Sequence, residues 1–242
     1  MTKWHHGRVI ENRHWTEALF TLRVEGVQLG FEAGQFVRIA LDIDGERIAR
    51  PFSMVNAPAA GTLEFYGIVV PQGPLSPRLA RLEAGDTLFV ASNPAGFLVL
   101  SEVPAADTLW LMSTGTGIAP FVSMLRAGTP WQKFRNVVLV HAVRHARELV
   151  YREEVQSVPG VRYIPVVSRE DAPGALRGRI PALVRAGTLE TSAGLSLAPD
   201  ASQVMLCGNP DMLKDTTAVL VERGMRKNRR RTPGHITVES FW

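Results

Sequence analysis

Short runs of alternating apolar and polar residues fill the first hundred positions of this 242-residue chain, and compact apolar runs separated by helix-like stretches fill the rest. The alternation predicts strands at residues 8–12, 18–24, 35–43, 47–55, 63–70 and 87–91, with Gly, Asp, Asn and Pro between them. Asp44-Gly45 between two such runs predicts a tight hairpin. One helical patch, 76–82, is introduced by Gly73-Pro74 and ended by Gly85-Asp86. Regularly spaced strands of this kind predict an antiparallel barrel or sandwich.

Beyond residue 100 the β-rich runs 108–112, 136–141, 162–167 and 203–207 alternate with helix-like segments at 119–127, 148–156, 180–186 and 211–223. Strand and helix in alternation predict βαβ units around a parallel sheet. The change falls near 101–107, where Pro104, acidic residues and alanines make a connection. The expected class is therefore β followed by α/β, with domains at 1–100 and 101–242. No internal repeat or low-complexity segment is present.

An apolar fraction of 45% is ordinary for a globular protein with a sizeable core. No apolar run approaches the roughly 20 residues of a membrane-spanning helix. The first residues lack the apolar centre of a signal peptide. Cys207 is the only cysteine, which excludes an intramolecular disulfide and fits a reducing compartment. These features lead us to expect a soluble, cytoplasmic protein. The net charge is +4, and much of the excess sits in Arg223, Arg226, Lys227, Arg229, Arg230 and Arg231. Such a cluster could serve an acidic protein, an anionic cofactor or nucleic acid, or form a solvated surface. Nucleic acid is disfavoured because no recognition motif accompanies the charge.

Three segments carry chemistry. Arg50-Pro51-Phe52-Ser53 ends a strand and offers a guanidinium, an aromatic face and a hydroxyl, which suits the phosphates, face and edge of a flavin. Gly73-Pro74-Leu75-Ser76 opens the helix of the first half, where backbone N–H groups attract pyrophosphate; Ser76 also reads as a plain N-cap before Pro77. Gly115-Thr116-Gly117-Ile118-Ala119-Pro120 is a strand-to-helix glycine turn, with proline where a dinucleotide fingerprint has its third glycine. The pattern implies two nucleotides held side by side.

Arg50-x-Phe52-Ser53, Gly115-x-Gly117-x-x-Pro120 and Cys207-Gly208-x-x-x-Met212 occur in order, and the chain ends in aromatics. This set resembles the ferredoxin–NADP⁺ reductase superfamily, and most closely its bacterial ferredoxin/flavodoxin–NADP⁺ reductases, over nearly the whole chain. The resemblance implies a six-stranded antiparallel barrel for FAD and a parallel-sheet domain for NADP(H). It implies that Arg50, Pro51, Phe52 and Ser53 hold FAD, that Tyr66, Gly67 and Ile68 line the flavin or its ribityl chain, and that Gly73 to Ser76 cradle the pyrophosphate. Thr116 would lie between the cofactors, and Phe241 and Trp242 would fold back along FAD. Phe52 departs from the family's usual tyrosine, so one hydroxyl is absent.

On the NADP(H) side, arginines gather after two predicted strands and before a helix. Converging there, Arg144, Arg169, Arg177 and Arg179 suit a 2′-phosphate, whereas NAD would favour an acidic partner; Ser168, Arg169 and Arg179 also resemble the family's 2′-phosphate contacts and Arg144 its pyrophosphate contact. Gly115, Gly117, Gly208, Asn209, Asp211 and Met212 complete the expected NADP(H) contacts. The resemblance places Cys207 beside the nicotinamide, where it positions the ring; Ser53 and Cys207 are the expected residues at the reacting centre. Electrons would pass between NADP(H) and ferredoxin or flavodoxin through the FAD. A free-flavin or quinone reductase of the same fold, and a non-catalytic flavin-binding subunit, stay open as alternatives. The six histidines and single cysteine make no metal site or iron–sulfur cluster, and no G-x-S-x-G or Walker motif is present.

Overall fold

The computed structural model describes residues 3–240. Its first half contains β1 (Trp4–His14), β2 (Leu19–Glu25), β3 (Phe36–Ile43), β4 (Glu46–Ser53), β5 (Leu63–Ile68), the single-turn helix α1 (Ser76–Leu79) and β6 (Thr87–Ala91). These strands form one antiparallel sheet in the order β4-β3-β6-β1-β2-β5. An isolated bridge between Met54 and Phe65 joins its two edges and closes the barrel. Every second residue points inward, so Phe20, Leu22, Val24, Val37, Ile39, Leu88 and Val90 fill the barrel. Asp44 (φ 52°) and Gly45 (φ 85°) make the expected two-residue turn between β3 and β4.

The second half runs β7 (Thr108–Thr114), α2 (Ala119–Arg126), β8 (Asn136–Val143), α3 (Arg152–Ser157), β9 (Val161–Val167), β10 (Leu176–Arg177), α4 (Ile180–Arg185), α5 (Thr188–Ala193), β11 (Ser202–Gly208), α6 (Pro210–Glu222) and β12 (Ile236–Ser240). The strands form a parallel sheet ordered β10-β9-β8-β7-β11-β12. Leu109 and Leu111 join a core with Phe121 of α2, while Trp110 and Met112 join another with Leu183 of α4 and Leu220 of α6. Helices thus cover both faces, which is why these strands read as unbroken apolar runs.

The first of these cores does not stop at the parallel sheet. It includes Leu19, Val55 and Tyr66 of the barrel half beside Phe121, Leu139, Tyr151 and Cys207. The two halves therefore share a continuous apolar interior.

The structure departs from the sequence expectations in several places: β10 was not expected, and the helix expected over 76–82 ends at Leu79. The helix expected over 148–156 begins only at Arg152, because Glu148 turns back to accept the Arg144 and His145 N–H groups and Tyr151 stands at φ 65°. α5 was not expected; Gly187 and Gly194, both left-handed, confine it to six residues. β12 was also unexpected, and its pairing from Val204↔Ile236 to Gly208↔Ser240 adds a sixth parallel strand. Ser76 does not cap its own helix: its hydroxyl accepts the Val70 N–H at 2.9 Å.

Candidate functional site

The parallel sheet grows outward from β7 in one direction through β8, β9 and β10, and from β11 in the other through β12. Such a reversal opens a crevice at the carboxyl ends of the two central strands. Two turns meet there. Residues 115–118 form a 3₁₀ turn entering α2, and Cys207-Gly208-Asn209 enters α6. A Cβ on Gly117 would lie 2.5 Å from the Cys207 carbonyl oxygen, and one on Gly208 would overlap Thr114. The two turns therefore approach backbone to backbone, and these glycines are required by that contact. The Asn209 N–H donates to Thr114 Oγ1 at 2.8 Å, and the Asn209 side-chain oxygen accepts from Asp211 and Met212 N–H, capping α6.

Beneath the glycine turn, buried His141 contacts the Gly115 carbonyl through Nε2 (3.1 Å) and the Tyr163 hydroxyl through Nδ1 (3.4 Å). A carbonyl only accepts, so the Nε2 carries the proton and Tyr163 donates to Nδ1. Burial lowers the imidazole pKa to about 4. His141 is therefore a neutral prop under the turn at ordinary pH.

A basic crescent rims the crevice. The Ser168 and Arg169 N–H groups bond the carbonyls of Val143 and Arg144, and the Gly178 N–H bonds that of Val167. These links draw Arg144, Ser168, Arg169 and Arg179 together at the ends of β8, β9 and β10. Arg144, Arg169 and Arg179 are exposed and have no carboxylate partner among the described residues. Arg177 is paired with Asp171 at 3.0 Å, and the Ser168 hydroxyl donates to Val143.

On the barrel side, Arg50 and Pro51 are exposed at the end of β4, Phe52 is half-buried edge-on to Phe65, and Ser53 is buried. The Met54–Phe65 bridge brings Ser53 opposite Tyr66. Both hydroxyls, Ser53 Oγ and Tyr66 Oη, are buried without a hydrogen-bond partner. Burial accordingly pushes the Tyr66 pKa upward. Gly67 is buried and Ile68 exposed at the end of β5. Gly73 N–H bonds the Val70 carbonyl, placing Gly73, Pro74, Leu75 and Ser76 in a tight turn whose Leu75 is anchored in the barrel core.

The sequence reading missed Glu239. It stands across from Cys207 in the β11–β12 register and beside Gly96 and Phe97 of the first half. Its Oε2 has no partner, and burial raises its pKa to about 7. Burial, reinforced by Glu239, keeps Cys207 a thiol rather than a thiolate. An acidic residue in the short alternating segment Ile236–Ser240, just before the terminal aromatics, was the available signal. Phe241 and Trp242 lie outside the described residues. A cavity of about 840 Å³ lined by Arg13, Trp15, Glu64, Arg126 and Tyr151 opens between the halves and contains none of the residues expected to bind either nucleotide.

A closed antiparallel barrel joined to a parallel sheet with a glycine-lined crevice defines a two-domain flavin and pyridine-nucleotide oxidoreductase. Residues 10–98 match the oxidoreductase FAD-binding domain, and residues 111–218 the oxidoreductase NAD-binding domain. The flavodoxin/ferredoxin–NADP reductase of Escherichia coli is 49% identical over 248 residues, spanning 100% of both chains. The ferredoxin–NADP reductase of Pseudomonas aeruginosa is 36% identical, covering 96% of this chain and 95% of its own. A crystal structure of a ferredoxin NADP⁺ reductase from Neisseria gonorrhoeae with bound FAD and NADP superposes with a TM-score of 0.96 at 33% identity, over 99% of each chain. This chain belongs to the flavodoxin/ferredoxin–NADP reductase family.

Proposed function

We propose that this protein exchanges electrons between NADP(H) and a ferredoxin or flavodoxin, using FAD bound against the barrel. The observation that carries the reading is the pair of buried, unpartnered hydroxyls on Ser53 and Tyr66, which await a ligand offering both donors and acceptors. The ring edge and ribityl chain of a flavin offer both. FAD, when bound, supplies the exchange between the two-electron chemistry of a nicotinamide and the one-electron chemistry of the carrier.

The chain's own residues do the positioning. Arg50 holds the FAD pyrophosphate together with the 73–76 turn, Phe52 covers a ring face, and Ser53 bonds the ring edge. Tyr66, Gly67 and Ile68 line the flavin and ribityl chain, and Thr116 lies at the junction of both cofactors. Gly115, Gly117, Gly208, Asn209, Asp211 and Met212 frame the nicotinamide half of NADP(H). Ser168, Arg169 and Arg179 take the 2′-phosphate, and Arg144 the pyrophosphate. Arg177, already neutralised by Asp171, contributes less. Cys207 orients the nicotinamide as a neutral thiol and forms no covalent bond. The protein acts as a cytoplasmic monomer.

The test is a visible spectrum of the purified protein followed by anaerobic addition of NADPH or NADH. Flavin bands bleached faster by NADPH, then restored by oxidised ferredoxin or flavodoxin, are the expected result. A protein that cannot take up FAD would sink the reading.

A further inference from the structure

Between the two halves lies a group of polar side chains that neither nucleotide accounts for. Tyr151, from the segment before α3, sends its hydroxyl across to the barrel, where it donates to Glu64 Oε1 and contacts Thr21 Oγ1, both at 3.0 Å. The Trp15 indole N–H donates to the same Thr21 oxygen at 2.9 Å. Arg126, at the end of α2, grips Glu64 (2.8 Å) and the Val55 carbonyl (3.2 Å) on the barrel side, and Glu154 of α3 (2.6 Å) on its own. Ser123 of α2 donates to the Asn56 carbonyl at 2.7 Å. Tyr151, Glu64 and Arg126 are fully engaged with one another, although they line the large interdomain cavity. They behave as a brace rather than as a site waiting for a ligand.

Two features give the brace a direction. Tyr151 holds φ 65°, in the left-handed region that bulky residues avoid and that persists only where surroundings impose it. Its ring stands edge-on to that of Tyr66, with centroids 5.4 Å apart and planes at 86°. The Tyr66 hydroxyl has no hydrogen-bond partner. Its orientation is therefore set by packing, and Tyr151 is the neighbour tied down at its far end.

We propose that Tyr151 is a positioning residue for the flavin: it is contributed by the NADP(H) half and fixes the ring of Tyr66 through the Glu64–Arg126 brace. The proposal rests on the reading that Tyr66 lines the flavin. It makes the flavin's pose depend on how the two halves are docked, so that a residue touching neither nucleotide tunes the electron exchange between them.

Four substituted holoenzymes test this: Tyr151→Phe, which keeps the ring and removes the tether, Tyr151→Leu, which removes both, Arg126→Lys, and Tyr66→Leu as the reference. Visible circular dichroism and fluorescence of the bound flavin are recorded with the kcat and KM for NADPH. The expected result is a changed flavin signature in all four. In the Tyr151 variants kcat falls about tenfold while the KM for NADPH moves less than about twofold. If Tyr66→Leu changes the flavin signature but both Tyr151 variants match the parent in signature and kcat, the brace proposal is overturned alone. If Tyr66→Leu is itself silent, the flavin-lining reading fails and the proposal goes with it. Should Tyr151→Leu not fold, the volume-conserving Tyr151→Phe decides.

Discussion

Arg169 and Arg179 stand at strand and helix ends with no acidic partner among the described residues, which is the setting a 2′-phosphate requires. Losing a charge-assisted hydrogen bond costs roughly 1.5–3 kcal/mol. Arg169→Ala or Arg179→Ala should therefore raise the KM for NADPH about ten- to a hundredfold and leave that for NADH nearly unchanged. Equal losses with both nucleotides would refute the assignment. Glu239 makes a second prediction. Its carboxyl titrates near 4.5 when exposed and about 7 in the fold, so the folded state favours the protonated form. That contribution is complete below pH 4.5 and disappears as pH rises through about 7. Glu239→Gln mimics the protonated acid; its melting temperature should match the parent near pH 5 and exceed it near pH 8. A difference independent of pH would contradict the raised pKa.

At the scale of elements, the glycine turns after β7 and β11 meet backbone to backbone at Gly117, and the Thr114 hydroxyl reaches across beside Gly208. Gly117→Ala would force a Cβ onto the Cys207 carbonyl at 2.5 Å. Overpacking of this kind costs typically 1–3 kcal/mol, so a lower denaturant midpoint is expected. An unshifted midpoint would mean the turns can part freely. The tail offers a related test. Removing Phe241 and Trp242 should loosen FAD by roughly 1–3 kcal/mol if both rings stack, read as faster flavin loss on dilution. Unaltered retention would dismiss that role. These elements also mark what was readable beforehand. The barrel strands, the β7–α2 turn and the strand ends bearing Arg144 and Arg169 announce themselves through alternation, glycine placement and unbroken apolar runs. β12 does not, because 236–240 mixes Thr and Glu into a short run whose partner, β11, is about thirty residues earlier in the chain. Nor does the late start of α3, since the left-handed Tyr151 that delays it is imposed by contacts with the barrel and by no local residue preference.

Across the molecule, the interior running from Leu19 and Tyr66 to Leu139 and Cys207 crosses from one half to the other, so neither half is expected to melt alone. We expect calorimetry of the holoenzyme to show a single transition whose calorimetric and van't Hoff enthalpies agree. Two resolved transitions would mean that the shared interior does not couple the halves. The same interior explains why the site's polar orphans face inward from both sides: Ser53 and Tyr66 from the barrel, Glu239 from the last strand. The brace across this boundary also bears on recombination. Thr21 and Glu64 lie in the first half, Arg126 and Tyr151 in the second, and the hydrogen bonds among them cross the boundary. A chimera joining this barrel to the nucleotide half of a distant relative would carry the cofactor residues intact and still strand a carboxylate at the junction. Such hybrids should fold well only when those four positions are transplanted together.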